Sequence, residues 1–293
     1  MNTASTSVPE RPAEAPTTSA LAALSEREMA EIVEFVQARS LEDTVRAMPP
    51  EVVAHYDVGL GRIGPATAMA IRRVDVPMLN RIVGLGLAEP VTDETIDRIY
   101  ELYGRAKVRF MVQMSPAALT EELHARLEAR GLPRKDNWVN LIRGIEPPPE
   151  IRTDLRIEQI GREHAEGFAD VICVAFELPR EYGVLLTPLV GRAGWRHYLG
   201  FDGETAVAAG ALYVHDQVGL LAMAGTLPSH RRRGGQGALI TRRLREAAAL
   251  GCRWLVIETF LDTPEHPNPS FHNMLRTGFQ VAYERPNYIF FPE

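Results

Sequence analysis

Directly ahead of Gly234, Gly235 and Gly237 the chain places three arginines, Arg231, Arg232 and Arg233, and only Gln236 interrupts the glycines. Guanidinium groups donate paired hydrogen bonds to phosphate oxygens, and glycines let backbone N–H groups approach an anion without a Cβ in the way. Beyond this loop, Ile240, Leu244, Ala247 and Ala248 fall at i, i+4, i+7 and i+8, the stripe of a helix packed on a sheet. That spacing sends Arg242, Arg243 and Glu246 outward. It also aims the unpaired N–H groups and the positive dipole end of the helix at the same place as the loop arginines. The combination suits a pyrophosphate.

Two familiar phosphate loops do not fit. There is no Gly-Lys-Ser/Thr ending, and Gly235-Gln236-Gly237 lacks the third glycine of the dinucleotide fingerprint. A nucleic-acid backbone is disfavoured as the partner because the 293 residues carry a formal net charge of -6 and no aromatics interleave the arginines. With 45% hydrophobic and 24% charged residues the chain reads as globular, and its length favours two domains. Cys173 and Cys252 cannot make a disulfide framework or a CxxC metal or redox motif, which fits a reducing cytoplasm. No apolar run is long enough to span a membrane, and the first residues lack the apolar stretch of a signal peptide. No metal site and no membrane partner are expected.

The elements that must hold the loop follow from patterning. Residues 1–24, rich in Ala, Ser, Thr and Pro, read as a disordered tail. Ser25 and Glu28 form a capping box for a helix whose apolar stripe is Met29, Ile32, Val33 and Val36, and a second helix is expected from Ser40. The run Glu146-Pro147-Pro148-Pro149-Glu150 can neither continue a helix nor donate to a sheet, and it is the linker candidate. Beyond it, strands are predicted over 155–160, 195–201, 206–214, 217–224 and 254–259, with a terminal pair at 279–284 and 288–291. Helices are predicted over 163–176, 236–250 and 269–277. A weak internal repeat relates the halves: strand, helix, glycine and strand recur, with Gly131 and Gly278 lying 147 residues apart.

The segment from strand through Pro228 to loop and helix resembles the GNAT acetyltransferase superfamily, whose motif runs Arg/Gln-x-x-Gly-x-Gly/Ala into a helix. Pro228, Arg231 and Gly234 match that spacing, with Gln236 where a small residue is usual. Starting at Arg232 instead restores the full motif with one extra loop residue. Downstream, WLVIETF, Asn268 with Ser270, and Gly278-Phe279 match the family's strand, its helix carrying Asn or Ser near its start, and its closing Gly-Phe pair. The resemblance covers roughly 155–291. It implies an α+β fold with a mixed, mostly antiparallel central sheet flanked by helices. Residues 147–293 would form the catalytic domain, in tandem with a smaller, degenerate GNAT-like domain over 25–146.

The resemblance further implies acetyl-CoA as cosubstrate. Its pantetheine arm would pair with backbone at Ala224, Gly225, Thr226 and Leu227, and its pyrophosphate would meet Arg231 to Ala238 (Arg231, Arg232, Arg233, Gly234, Gly235, Gln236, Gly237, Ala238). Asn268 and Ser270 would add contacts. The implied activity is direct attack by the primary amine of a small molecule on the thioester. A noncatalytic acyl-CoA-binding or sensor protein is the alternative. Glu258, at the end of the strand beside the cofactor, is the preferred base, with burial expected to raise its pKa. His215 and Asp216 are weaker candidates, because that pair more often forms a turn. The family often places a Tyr four residues before the Gly of Gly-Phe to protonate the thiolate. This chain has Met274 there, leaving Tyr283, Tyr288 or solvent. Residues 176–189 occupy the place where the family's substrate segments vary. Stepping the cofactor loop back 147 residues lands on Gly84 to Pro90, with no arginine and with Asp93 and Glu94 opening the next helix. One acetyl-CoA per chain is therefore expected, in the second half, and the first half is left to shape the acceptor cleft or a homodimer contact.

Overall fold

The computed structural model describes residues 21–104 and 107–292. Ser25 caps the first helix, α1 (Glu26–Ala47), through the capping box with Glu28. The helix does not restart at Ser40. Ser40 Oγ donates to the Gln37 carbonyl and Thr44 Oγ1 to the Ser40 carbonyl, so both hydroxyls bond back within one helix instead of capping a new one. Of the tail assigned to 1–24, residues 1–20 lie outside the described residues. Leu21 is buried in the core, so packed structure begins before Ser25.

The first half continues with α2 (Pro50–Tyr56), β1 (Val58–Ile63), β2 (Ala66–Ile71), β3 (Arg81–Val83), α3 (Asp93–Tyr103), β4 (Phe110–Gln113), α4 (Glu121–Ala129) and β5 (Arg134–Arg143). The second half has β6 (Arg156–Ile160), α5 (Ala165–Ala175), β7 (Trp195–Asp202), β8 (Thr205–His215), β9 (Val218–Thr226), α6 (Gly235–Ala249), β10 (Trp254–Phe260), α7 (Pro269–Arg276) and β11 (Gln280–Phe290). The expected terminal pair of strands is one strand, β11, with irregular register between Val281 and Tyr283 and between Pro286 and Tyr288. The first half also carries an antiparallel hairpin, β1–β2, ahead of β3.

All strands join one 11-stranded sheet in the order β1-β2-β3-β4-β11-β5-β10-β9-β8-β7-β6. Only β3 with β4 and β9 with β10 run parallel, and the other neighbours are antiparallel. The last strand of each half is exchanged. β11 pairs with β4 of the first half, and β5 pairs with β10 of the second, while β5 and β11 pair with each other at the centre. The repeat is therefore structural. Gly131 and Gly278 end α4 and α7 at φ 78° and 87°, the left-handed conformation that glycine adopts without steric cost.

Alternation along β2 shows how the two faces fill. Ala66, Ala68 and Ala70 pack under α3 and α4, whereas Met69 and Ile71 pack under α1 through Leu41. In the second half α6 and α7 cover one face through Leu239, Leu244 and Met274. α5 covers the other face together with Val33 and Val36 of α1. α1 thus bridges the two halves on a single face.

Candidate active site

After β9, Pro228 opens a single 3-10 turn and the chain enters the Arg-Gly loop. Arg232 and Gly234 take φ 68° and 78°. A Cβ on Gly234 would lie 2.2 Å from the Arg152 carbonyl oxygen, so the chain just after the proline linker passes directly beneath the loop. Gly235 and Gly237 are equally close to that segment, with added Cβ atoms at 2.8 Å from Leu155 Cδ1 and 3.0 Å from Ile151 Cγ2. Gly234 is the N-cap of α6 and supplies no capping side chain, which leaves the first-turn N–H groups facing the loop. Those groups open onto a cavity of about 1050 Å³ that Arg231, Arg232, Gly234, Gly235, Gln236 and Gly237 help to line.

The loop arginines divide by role. Arg231 and Arg232 form no ion pair among the described residues and line the cavity. Arg233 does not line it: its guanidinium pairs with Asp154 and, at 2.7 Å, with Asp202. Hydrogen bonds from Arg233 hold both carboxylates below their usual range. Arg233, expected beside Arg231 and Arg232 at the phosphate, is held here by the two carboxylates and fastens the loop.

The parallel pairing of β9 and β10 ends at Leu221 with Ile257. Beyond that point the strands splay, and Ala222 to Thr226 face Glu258 to Phe260 across the cavity. A bulge starts the divergence: between Ala209 and Ala211 of β8 there is one residue, opposite two in β9, Met223 and Ala224. Met223 takes φ 46° there. Ala224, Gly225 and Thr226 line the cavity, whereas Leu227 N donates to the Val207 carbonyl and Ala238 N closes the first turn of α6, both off the lining. Asn268 caps α7 by accepting from Ser270 N at 3.0 Å, and its amide reaches Thr259 Oγ1 and the Phe260 carbonyl. Gln236 donates to Ser270 Oγ and accepts from Asn273, both at 2.6 Å, which ties the starts of α6 and α7 together at the cavity wall.

Glu258 keeps 18% of its side chain open, at the cavity. Its oxygens accept from Arg81 of the first half at 2.6 Å and from Arg285 of β11. Burial works to raise its pKa, but the charges and hydrogen bonds of these two arginines outweigh burial and hold the carboxyl below its ordinary value. The expected upward shift is thus reversed. The two tyrosines are also displaced from the site. Tyr283 donates to Glu34 at 2.6 Å, with burial and that carboxylate pushing its pKa well up, and Tyr288 meets the His124 ring at 2.9 Å against β4. Neither lines the cavity. His215 ends β8 and Asp216 opens the β8–β9 turn, with Asp216 at φ 51°.

Two cavity residues escape a reading of the second half alone, and a third faces opposite to the sequence expectation. Arg81 comes from β3, and Trp138 from the exchanged strand β5. Arg243, expected to face outward, is fully buried and points at the sheet. Its Nε donates to the Leu239 carbonyl and its Nη1 to the Ala211 carbonyl at 2.9 Å, beside the bulge. Gly210 makes the room, since a Cβ there would sit 3.0 Å from the guanidinium carbon. A glycine inside a strand is the sequence signal that could have disclosed it.

Solved structures resemble this fold over most of its length. A GCN5-related N-acetyltransferase from Kribbella flavida matches with TM-score 0.55 and 17% identity, covering 85% of this chain and 93% of that one. A GCN5-related N-acetyltransferase from Sphaerobacter thermophilus matches with TM-score 0.55 and 13% identity over 89% and 92%. A tandem GNAT protein from the clavulanic acid biosynthesis pathway matches with TM-score 0.53 and 14% identity over 91% and 96%. No family model and no curated protein matches the sequence. The likeness is one of fold: a GNAT architecture built twice in one chain.

Proposed function

Proceeding from that tandem GNAT fold, we propose that the second half binds one acetyl-CoA and transfers its acetyl group to the primary amine of a small molecule. One observation carries the reading: the splay of β9 from β10 and the uncapped N-terminus of α6, with Arg231 and Arg232, open onto a single cavity. The loop N–H groups and these two arginines would hold the pyrophosphate, and the free edge of β9 from Ala224 to Thr226 would hold the pantetheine amides. Bound acetyl-CoA supplies an electrophilic thioester carbonyl. The amine nitrogen bonds to that carbon, the C–S bond breaks, and the thiolate leaves with the electron pair. Backbone N–H groups freed by the β9 bulge are the donors available to the carbonyl oxygen.

Glu258 enters as a fixed anion rather than a titrating base. Held ionised by Arg81 and Arg285, it draws the amine toward the splay, and the amine loses its proton to water. Met274, buried where the family often has a tyrosine, donates no proton, so solvent protonates the thiolate. Most acceleration then comes from holding the two reactants together.

The same two residues favour a second reading, a noncatalytic acyl-CoA sensor, because neither offers a proton at neutral pH. Incubating the intact chain with acetyl-CoA and pools of primary amines while following free thiol decides between them. Amine-dependent thiol release that rises with pH is expected. Saturable acetyl-CoA binding without release across the pools would support the sensor.

A further inference from the structure

Past the splay the cavity continues between the halves, walled by Leu41, Met48, Met69 and Ile71 of the first half and Ile172 and Leu185 of the second. Two hydroxyls on its first-half wall are already engaged. Ser40 and Thr44 donate to carbonyls of their own helix. Among the described residues Glu258 is the one acidic group on the lining, and Arg81 and Arg285 both bind it. The lining polar atoms that are buried without a partner are Arg81 Nε, Trp138 Nε1 and Arg243 Nη2, and all three are N–H donors. The chamber therefore offers hydrocarbon and spare buried donors, and no second carboxylate.

A second ammonium entering such a chamber would lose its hydration with no carboxylate to receive it, a larger cost than burying hydrocarbon would recover. We propose that the acceptor is a monoamine carried on an apolar body and that polyamines and other polycations are excluded. This deepens the proposed transfer and rests on it for the placing of the amine beside Glu258. The apolar body extends away from the splay toward Met69 and Leu185, and the amino group remains at the rim. Met78, half-buried on the same lining, lies where a longer body would reach.

The test is calorimetric titration of linear alkylamines, and of diaminoalkanes of the same lengths, into the intact chain saturated with coenzyme A. Alkylamine affinity should rise about fourfold for each methylene buried. Each diamine should bind at least tenfold more weakly than the monoamine of equal length. Met78→Trp should stop the rise at a shorter chain, and Met78→Asp should narrow the gap between monoamine and diamine. Because binding is read directly, these results hold even where no thiol is released, which would count against the transfer alone. Diamines binding as tightly as monoamines, no dependence on length, or no amine binding at all would overturn the proposal. So would octanoyl-CoA binding more tightly than acetyl-CoA while alkylamines show no length effect, because the chamber would then serve the acyl chain.

Discussion

At Glu258, burial and two guanidiniums act on one carboxyl in opposite directions, and the guanidiniums prevail. The folded-state pKa is depressed, so the pairing contributes stability above the ordinary glutamate value of 4.5 and loses it as pH falls through the lower folded value. Glu258→Gln leaves Arg81 without an ion-pair partner among the described residues and Arg285 with Glu34 alone, and a loss of about 3 kcal/mol is expected at pH 7. Denaturant unfolding should show that difference shrinking as pH falls below 4.5, where the carboxyl of the unfolded chain takes up its proton while the folded one stays ionised down to its lower value. A gap that stays constant with pH would mean the two arginines do not depend on this charge. Neither partner was legible in the sequence: Arg81 lies 177 residues away, and no local pattern links the two. The loop glycines and arginines were legible, since their chemistry is local. Arg243 was misread because its charge argued for solvent, although it sits three residues after Ile240 on the buried stripe.

At the scale of elements, the helix after the Arg-Gly loop, the strand β9 before it and the repeat around Gly131 and Gly278 follow from periodicity and turn residues, and the structure has them. Strand exchange could not be read that way. β5 and β11 carry similar apolar patterns, and nothing in a pattern says which neighbour a strand selects. The exchange has a mechanical consequence. The proline run is a linker in sequence, yet Thr241 Oγ1 donates to the Pro149 carbonyl and β5 remains locked between β10 and β11. Cutting the intact chain at an engineered protease site within residues 147–149 should therefore leave the two pieces associated, co-eluting on size exclusion without denaturant. Separation into two folded halves would contradict the exchanged sheet.

Across the whole molecule the halves share a topology but not a site. β3 has three residues where β9 has nine, and α3 begins with Asp93 and Glu94 under a Thr92 capping box, which occupies the donors an anion would need. Gly84 N is likewise held, by Glu34. One half carries the Arg-Gly loop and the splayed strands, while the other supplies Arg81 and part of the apolar wall of the cavity. Isothermal titration of acetyl-CoA into the intact chain, and into a folded Arg231→Glu, Arg232→Glu variant, tests this account most directly. One equivalent per chain is predicted, with affinity in the variant reduced at least tenfold, the scale of about 1.4 kcal/mol for lost charge-assisted hydrogen bonds. Two equivalents, no binding, or an unchanged affinity in the variant would contradict it.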